Sequence, residues 1–321
     1  MTGATGFIGS HLVEALLDRG DGVRCLARDR QRLRWLEGRT GLAIAQGDIT
    51  DRSSLKRAVR GVNCIYHLAG LTRAVRVQDF FRVNAEGTRN VVEACLEETV
   101  PPRLIYLSTL AVLGPRADLS PLREDTPPRP VSSYGWSKLR GEEIVLSARG
   151  RLNVTVLRPP VVYGPRDTGL LQYIRWVKRG LLPIPAGPPR ALSLIYVNEL
   201  VRTIITASQG HRPSGDVYHV SDEKALSLQD IGQMVGEIIG VCPRPLRVPV
   251  SILIVLAGLS EAWAWATKQP TFFTRGKVRE AAGHWMCDSA KARERLAFIP
   301  RLSLEEGMAL TVQWYRSRGW I

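Results

Sequence analysis

The chain has 321 residues, is 45% hydrophobic and 23% charged, and carries a formal net charge of +14. Such a composition excludes a disordered chain and provides for one large core or two modest ones. The basic residues, mostly arginine, are spread along the whole length with no basic block and no aromatic-interleaved stripe, so no nucleic-acid partner is expected.

The first element is the glycine loop Thr2-Gly3-Ala4-Thr5-Gly6-Phe7-Ile8-Gly9, which opens an amphipathic pattern over Phe7–Arg19 that Gly20 stops. Glycines at this spacing let the backbone approach a pyrophosphate, and the helix N-terminus stabilises its charge. Strands are expected at Val23–Ala27, Leu42–Gln46, Val62–His67, Arg103–Ser108 and Asn153–Leu157. Helices are expected at Asp51–Val59, Gln78–Leu96 and Tyr134–Ala148. The alternation predicts an α/β fold with a Rossmann-type, doubly wound parallel sheet. A loop of this kind follows a buried strand, yet only Met1 precedes Thr2. The first strand is therefore expected to be truncated, with two neighbouring strand edges exposed. A native start several residues upstream is expected; a chain beginning at Met1 is expected to be less stable and to bind a dinucleotide weakly.

After about Pro165 proline-rich loops and helical patterns take over: Leu170–Arg179, Val197–Ser208, Leu228–Ile239 and Leu304–Arg316. The expected division is a dinucleotide-binding domain over 1–164 and a smaller, helix-rich, mainly substrate-binding region over 165–321, some of it returning to the first. Val250–Leu259, with Trp263 and Trp265 beyond it, is apolar all round. It reads as a cap helix over the pocket or as an interfacial helix making a peripheral membrane contact. With no uncharged apolar run of 18 residues, a spanning helix is not expected. The scattered cysteines Cys25, Cys64, Cys95, Cys242 and Cys287 read as free thiols of a reducing compartment, which makes the cytoplasm the expected location. The five histidines show no paired spacing, and no metal is expected.

Seven motifs follow one another in order: the glycine loop, Gly47-Asp48-Ile49-Thr50-Asp51, Tyr66-His67-Leu68-Ala69-Gly70, Val83-Asn84-Ala85-Glu86-Gly87-Thr88, Leu107-Ser108-Thr109, the Y-x-x-x-K pair in Tyr134-Gly135-Trp136-Ser137-Lys138, and Leu157-Arg158-Pro159-Pro160-Val161-Val162-Tyr163-Gly164-Pro165; Tyr196–Leu200 resembles a later landmark. With them the chain resembles, nearly end to end, the extended short-chain dehydrogenase/reductase family, also called the NAD-dependent epimerase/dehydratase family. The resemblance implies cofactor contacts from Gly3, Thr5, Gly6, Phe7, Ile8 and Gly9, from Asp48 and Ile49 at the adenine, and from Leu68, Ala69, Gly70, Asn84 and Pro159. It implies Thr109, Tyr134 and Lys138 as catalytic residues, the last two also touching the cofactor. His67 reads as a packed residue lining the cofactor, and Ser108 as structural. Relatives pair the helices corresponding to Gln78–Leu96 and Tyr134–Ala148, which implies a homodimer.

Tyr134 and Lys138 lie four apart, on one helix face. A free tyrosine titrates near 10, and bringing it to neutrality takes roughly 4 kcal/mol. An adjacent ammonium and a cationic nicotinamide both favour the phenolate. Lys138 can also hold ribose hydroxyls, and Thr109 can orient a substrate oxygen. At the end of the expected strand Val23–Ala27, Cys25-Leu26-Ala27-Arg28-Asp29 puts alanine where NAD-preferring relatives carry an acid. Arg28 suits a 2′-phosphate and favours NADP(H); NAD(H) stays open, with Asp29 on the ribose and Arg28 solvated.

The residues after Thr109 are Leu110-Ala111-Val112, without the carboxylate that dehydration or decarboxylation uses in relatives. Val161 and Leu113 stand where many nucleotide-sugar epimerases have asparagine and tyrosine. The chain is nearer the branch of dihydroflavonol-type reductases and 3β-hydroxysteroid-type dehydrogenases. The expected activity is hydride transfer between a nicotinamide and an alcohol or ketone carbon of an apolar small-molecule substrate. A nucleotide-sugar epimerase and a non-catalytic nucleotide-binding sensor or assembly subunit remain the alternatives.

Overall fold

The computed structural model describes residues 1–210, 214–222 and 224–321. In chain order the strands are β1 (Val23–Ala27), β2 (Leu42–Gln46), β3 (Cys64–His67), β4 (Arg103–Leu107), β5 (Val154–Arg158), β6 (Val161–Tyr163), β7 (Leu181–Pro185), β8 (Leu194–Tyr196), β9 (Asp216–His219) and β10 (Arg244–Val248). The helices are α1 (Phe7–Asp18), α2 (Arg52–Val59), α3 (Val77–Phe81), α4 (Gly87–Leu96), α5 (Ser133–Ser147), α6 (Gly169–Lys178), α7 (Val197–Ala207), α8 (Leu228–Ile239), α9 (Val250–Thr267), α10 (Arg275–Ala281), α11 (Ala290–Leu296) and α12 (Leu304–Ser317). Two compact units form: Met1–Val112, Ser133–Arg158 and Val201–Tyr218 make the first, and Leu113–Ser132, Pro159–Leu200 and His219–Ile321 the second.

The first unit is the Rossmann-type α/β fold. β1 and β2 pair in parallel, and β3, β4, β5 and β9 lie in that order in a four-stranded sheet. The apolar run Leu104–Leu107 is buried, as a parallel strand covered on both faces requires. Leu55 of α2, Val91 and Cys95 of α4 and Val145 of α5 pack with Leu104, Val154 and Val156 of the sheet in one core. Burial of each large aliphatic side chain contributes about 1.5–3 kcal/mol. α2 begins where Asp51 accepts a hydrogen bond from the Ser53 amide.

Among the described residues, only Met1 and Thr2 lie between β1 and β3. Thr2 bridges in parallel to Leu26 on one side and to His67 on the other. Its amide donates to Tyr66 O at 3.0 Å, its carbonyl accepts from the Leu68 amide at 3.3 Å, and Met1 O accepts from the Leu26 amide at 2.8 Å. The place of the first strand is thus held by a single bridging residue, directly ahead of the glycine loop.

The helix expected over Gln78–Leu96 is instead α3 and α4 joined by a π-helical turn, Arg82–Glu86. In the second unit β6 pairs with β8 and β7 with β10, both in parallel. These strands are three to five residues long and contain Pro183, Pro185 and Pro245, which two-stranded ribbons tolerate. α8 opens with a capping box between Ser227 and Asp230, and α12 with one between Ser303 and Glu306.

α9 runs 18 residues with mean hydropathy 1.6, so by length and composition it is long and apolar enough to cross a membrane. Glu261 interrupts the apolar run without ending the helix.

After β9, both carboxylate oxygens of Asp222 are buried and have no hydrogen-bond partner among the described residues. Burial, reinforced by the charge of Glu199, pushes this carboxyl up to about 7. The folded state therefore holds the Asp222 proton more tightly than the unfolded state does. This stabilisation is complete below about pH 4, is lost as pH rises towards 7, and does not change further above that. Asp222→Asn is expected to flatten the profile and to gain about 2 kcal/mol at pH 8. Chemical denaturation at pH 4.5 and pH 8 checks it; an equal loss at both values would remove the assignment.

Candidate active site

The glycine loop turns from Thr2 into α1. Gly3 has φ +76°, and a Cβ there would lie 2.7 Å from Ala69 N; a Cβ on Gly9 would lie 2.0 Å from Gly3 O. Both contacts exclude a side chain, so the loop is a bare-backbone cradle at the N-terminus of α1. Gly6 is the N-cap with no side-chain cap, and the first turn, Phe7, Ile8 and Gly9, carries no acidic residue. Backbone N–H groups at such a terminus have no intrahelical partner and favour an anion. Thr5 lies exposed in this loop. The cradle fits the pyrophosphate of a dinucleotide.

The segment after β3 is tied to this loop. Thr88 Oγ1 donates to Asn84 O at 2.7 Å and lies 3.0 Å from His67 Nε2, so Nε2 carries the proton. His67 Nδ1 then accepts from Thr2 Oγ1 at 2.7 Å, and Thr2 Oγ1 accepts from the Ala69 amide at 3.1 Å. Burial, helped by the charges of Lys138 and the N-terminal amine, holds His67 down at about 3. It is a neutral connector, in keeping with its reading as a packed residue. Leu68 and Ala69 are half-buried and Gly70 is exposed.

Asn84 sits in the π-helical turn with no exposed surface. Its amide donates to Leu71 O at 3.0 Å and to Ser137 Oγ at 2.8 Å, and its Oδ1 accepts from the Leu71 amide at 2.7 Å. The Asn84 side chain thus holds the Leu71 loop against α5. Asp48 caps its own loop through Thr50 at 2.8 Å, and Ile49 is buried against Gly87. Arg28, 65% exposed in its side chain, stands 3.7 Å from Asp48 as a weak solvated ion pair. Pro159 is buried and begins the Pro159–Leu200 segment of the second unit.

Tyr134 is half-buried in the first turn of α5, its ring 6.4 Å from that of Phe80. One turn on, Lys138 is 5% exposed, donates to Leu107 O at 2.8 Å and lies 4.2 Å over the Tyr106 ring. A Cβ on Gly70 would lie 4.0 Å from Lys138 Nζ, so the lysine and the segment after β3 meet. Burial pushes Lys138 down to about 7, and the Glu142 carboxylate opposes that shift. Thr109 follows β4, half-buried, and accepts from the Ala111 amide at 3.2 Å.

Motif reading missed the charged group behind this helix. The Arg158 guanidinium forks onto Glu142 at 2.5 and 3.1 Å, and Ser108 Oγ donates to the same carboxylate at 2.5 Å. The available signal was a glutamate four residues after Lys138, on the same helix face.

The cradle, the parallel sheet and the lysine-bearing helix place this chain among dinucleotide-dependent enzymes of the Rossmann type. More particularly, it belongs to the NAD dependent epimerase/dehydratase family, whose model matches residues 1–221. It is similar to a ceramide reductase of Caulobacter vibrioides, 30% identical with 100% of this chain and 95% of that protein covered. It is also similar to the 3 beta-hydroxysteroid dehydrogenase type 7 of Mus musculus, 27% identical with 99% of this chain and 95% of that protein covered. Among solved structures, MoeE5 in complex with UDP-glucuronic acid and NAD is 26% identical, with TM-score 0.79 over 99% of this chain and 98% of that one.

Proposed function

We propose that this chain is an NADP(H)-preferring oxidoreductase that interconverts an alcohol and a ketone on a bulky, largely apolar substrate. The observation carrying this reading is the turn after Thr109. Leu110–Val112 is apolar, with Leu110 and Val112 buried, so no carboxylate from this turn stands beside the proposed reacting carbon. Similarity along the whole chain to a ceramide reductase and a hydroxysteroid dehydrogenase supports the same substrate class. A nicotinamide cofactor, when held by this cradle, would supply or accept the hydride. Tyr134 handles the hydroxyl proton, Lys138 holds the ribose and favours the phenolate, and Thr109 orients the substrate oxygen.

The NADP(H) preference rests on Arg28. It is exposed at the end of β1, whereas Asp29 caps the following turn by accepting from the Gln31 amide at 2.9 Å. Arg28→Ser is expected to weaken NADPH binding about tenfold to a hundredfold and to leave NADH within about threefold, as loss of a charge-assisted phosphate contact would. Parallel fluorescence titrations check it; equal losses for both nucleotides would reverse the preference.

The activity is tested by incubating the chain with NADPH and either a 3-ketosteroid or a long-chain 3-keto amide. Ketone-dependent loss of NADPH absorbance is the expected result. The sugar-nucleotide complex of the similar MoeE5 favours epimerisation as the second reading. Interconversion of UDP-sugars with no net cofactor turnover would put that reading first. Five free cysteines support a reducing, cytoplasmic setting, with burial pushing Cys25, Cys64 and Cys287 up to about 11 and keeping their thiols protonated. Fractionation of the producing cells tests this.

A further inference from the structure

We propose that α9 is an in-plane membrane anchor that seats the second unit on a bilayer surface containing anionic phospholipid. Ile252, Val255, Leu256, Leu259 and Trp263 recur at spacings of three and four and so share one face, and all are exposed, Leu259 to 64% and Trp263 to 72%. Trp265 is exposed to 73%, and Phe272 and Phe273 beyond the helix are exposed too. An uncharged apolar stripe of this length on a protein surface marks an interaction site.

The other side of α9 belongs to the protein. Ala257 and Ala264 are buried there, and α10 packs along the helix. Arg275 closes the hairpin onto Glu261, with its guanidinium at 2.6 Å and its amide at 2.9 Å. Ser260 and Thr271 are hydrogen-bonded at 2.8 Å. A helix fixed along one side to a folded unit presents only its opposite face to lipid. It therefore lies in the interface, although its length would allow a span.

The surrounding charge selects the occupant. From 244 to 280 the chain has six cationic residues against two acidic ones; Arg275 and Lys277 pair with Glu261 and Glu280, which leaves Arg244, Arg247, Lys268 and Arg279 as the cationic excess. Two copies packed face to face would bring these cations together, whereas an anionic lipid surface complements them. Trp263 at the C-terminal end of the stripe suits headgroup depth.

Flotation of the full chain with phosphatidylcholine vesicles, with and without phosphatidylglycerol, tests the proposal. Binding is expected on the anionic vesicles, weakened by salt and reduced about tenfold or more by the paired change Val255→Glu and Leu259→Glu. Both positions are exposed, and an unchanged thermal midpoint shows that the variant folds. A second pair, Lys268→Glu with Arg279→Glu, is expected to lower binding on anionic vesicles only. Absence of flotation on either vesicle, or flotation indifferent to the Val255 and Leu259 changes, overturns the proposal. A dimer in sedimentation velocity that those changes dissociate, with no vesicle binding, overturns it in favour of a second copy.

Discussion

Replacing Tyr134 with phenylalanine is expected to lower the rate of ketone reduction by about 10²–10⁴-fold while leaving NADPH affinity within a few-fold. The change removes one oxygen and keeps the ring against Phe80, so the first turn of α5 stays packed. Tyr134 is half-buried in that turn, one turn before a buried ammonium that is tied to Leu107 O and faces Gly70. A phenol beside a buried cation loses its proton more readily than a free one, because the phenolate gains a Coulomb partner in a medium of low dielectric. Lys138→Met is expected to reproduce much of the rate loss and to weaken cofactor binding as well, since the lysine has two tasks and the tyrosine one. Single-turnover rates with NADPH separate the two effects. A Tyr134→Phe variant that kept its single-turnover rate would remove the acid/base assignment and leave nucleotide binding as the activity.

The dinucleotide half was legible because its signals are local. β1 and β2 have the bounds expected from their apolar runs, and Gly3 and Gly9 are needed where the loop meets Ala69 and its own backbone. What escaped depends on partners distant in sequence. The π-helical turn at Arg82–Glu86 keeps the helical pattern of its flanks, and its reason is the Asn84 amide reaching Leu71 and Ser137. Strands β6 to β8 and β10 are short, and two of them contain prolines, so no alternation announces them; each is defined by a strand elsewhere in the chain. α10 and α11 are seven residues long and mostly charged, too short for a periodic face. Single motifs located Lys138 and Arg158, but that Glu142 joins them follows only from the packing of α5 against β5.

Removing the Glu142 carboxylate is expected to cost about 3–5 kcal/mol of stability, the usual consequence of leaving a buried partner charge uncompensated. Arg158 and Glu142 are both almost wholly buried, and the guanidinium reaches the carboxylate through Nη2 at 2.5 Å and Nε at 3.1 Å. Glu142→Ala would leave the Arg158 cation in the core and Ser108 without its acceptor. Ser108→Ala alone is expected to cost about 1 kcal/mol. The apolar pair Glu142→Leu with Arg158→Met removes both charges together and is expected to recover most of the loss. It would not recover the pH profile. Glu142 is the charge that opposes the downward push of burial on Lys138, which stands at about 7. Without that carboxylate the lysine loses its proton at lower pH, the Tyr134 phenol loses the cation that favours its ionisation and keeps its donor proton to higher pH, and the descending limb of the reduction rate moves to higher pH. Stability and pH dependence thus come apart in one double variant. Denaturation curves and a pH–rate profile on that variant decide the matter. If Glu142→Ala falls within about 1 kcal/mol of the parent, the network is not structural; if the double variant keeps the parent profile, Glu142 does not set the charge of Lys138.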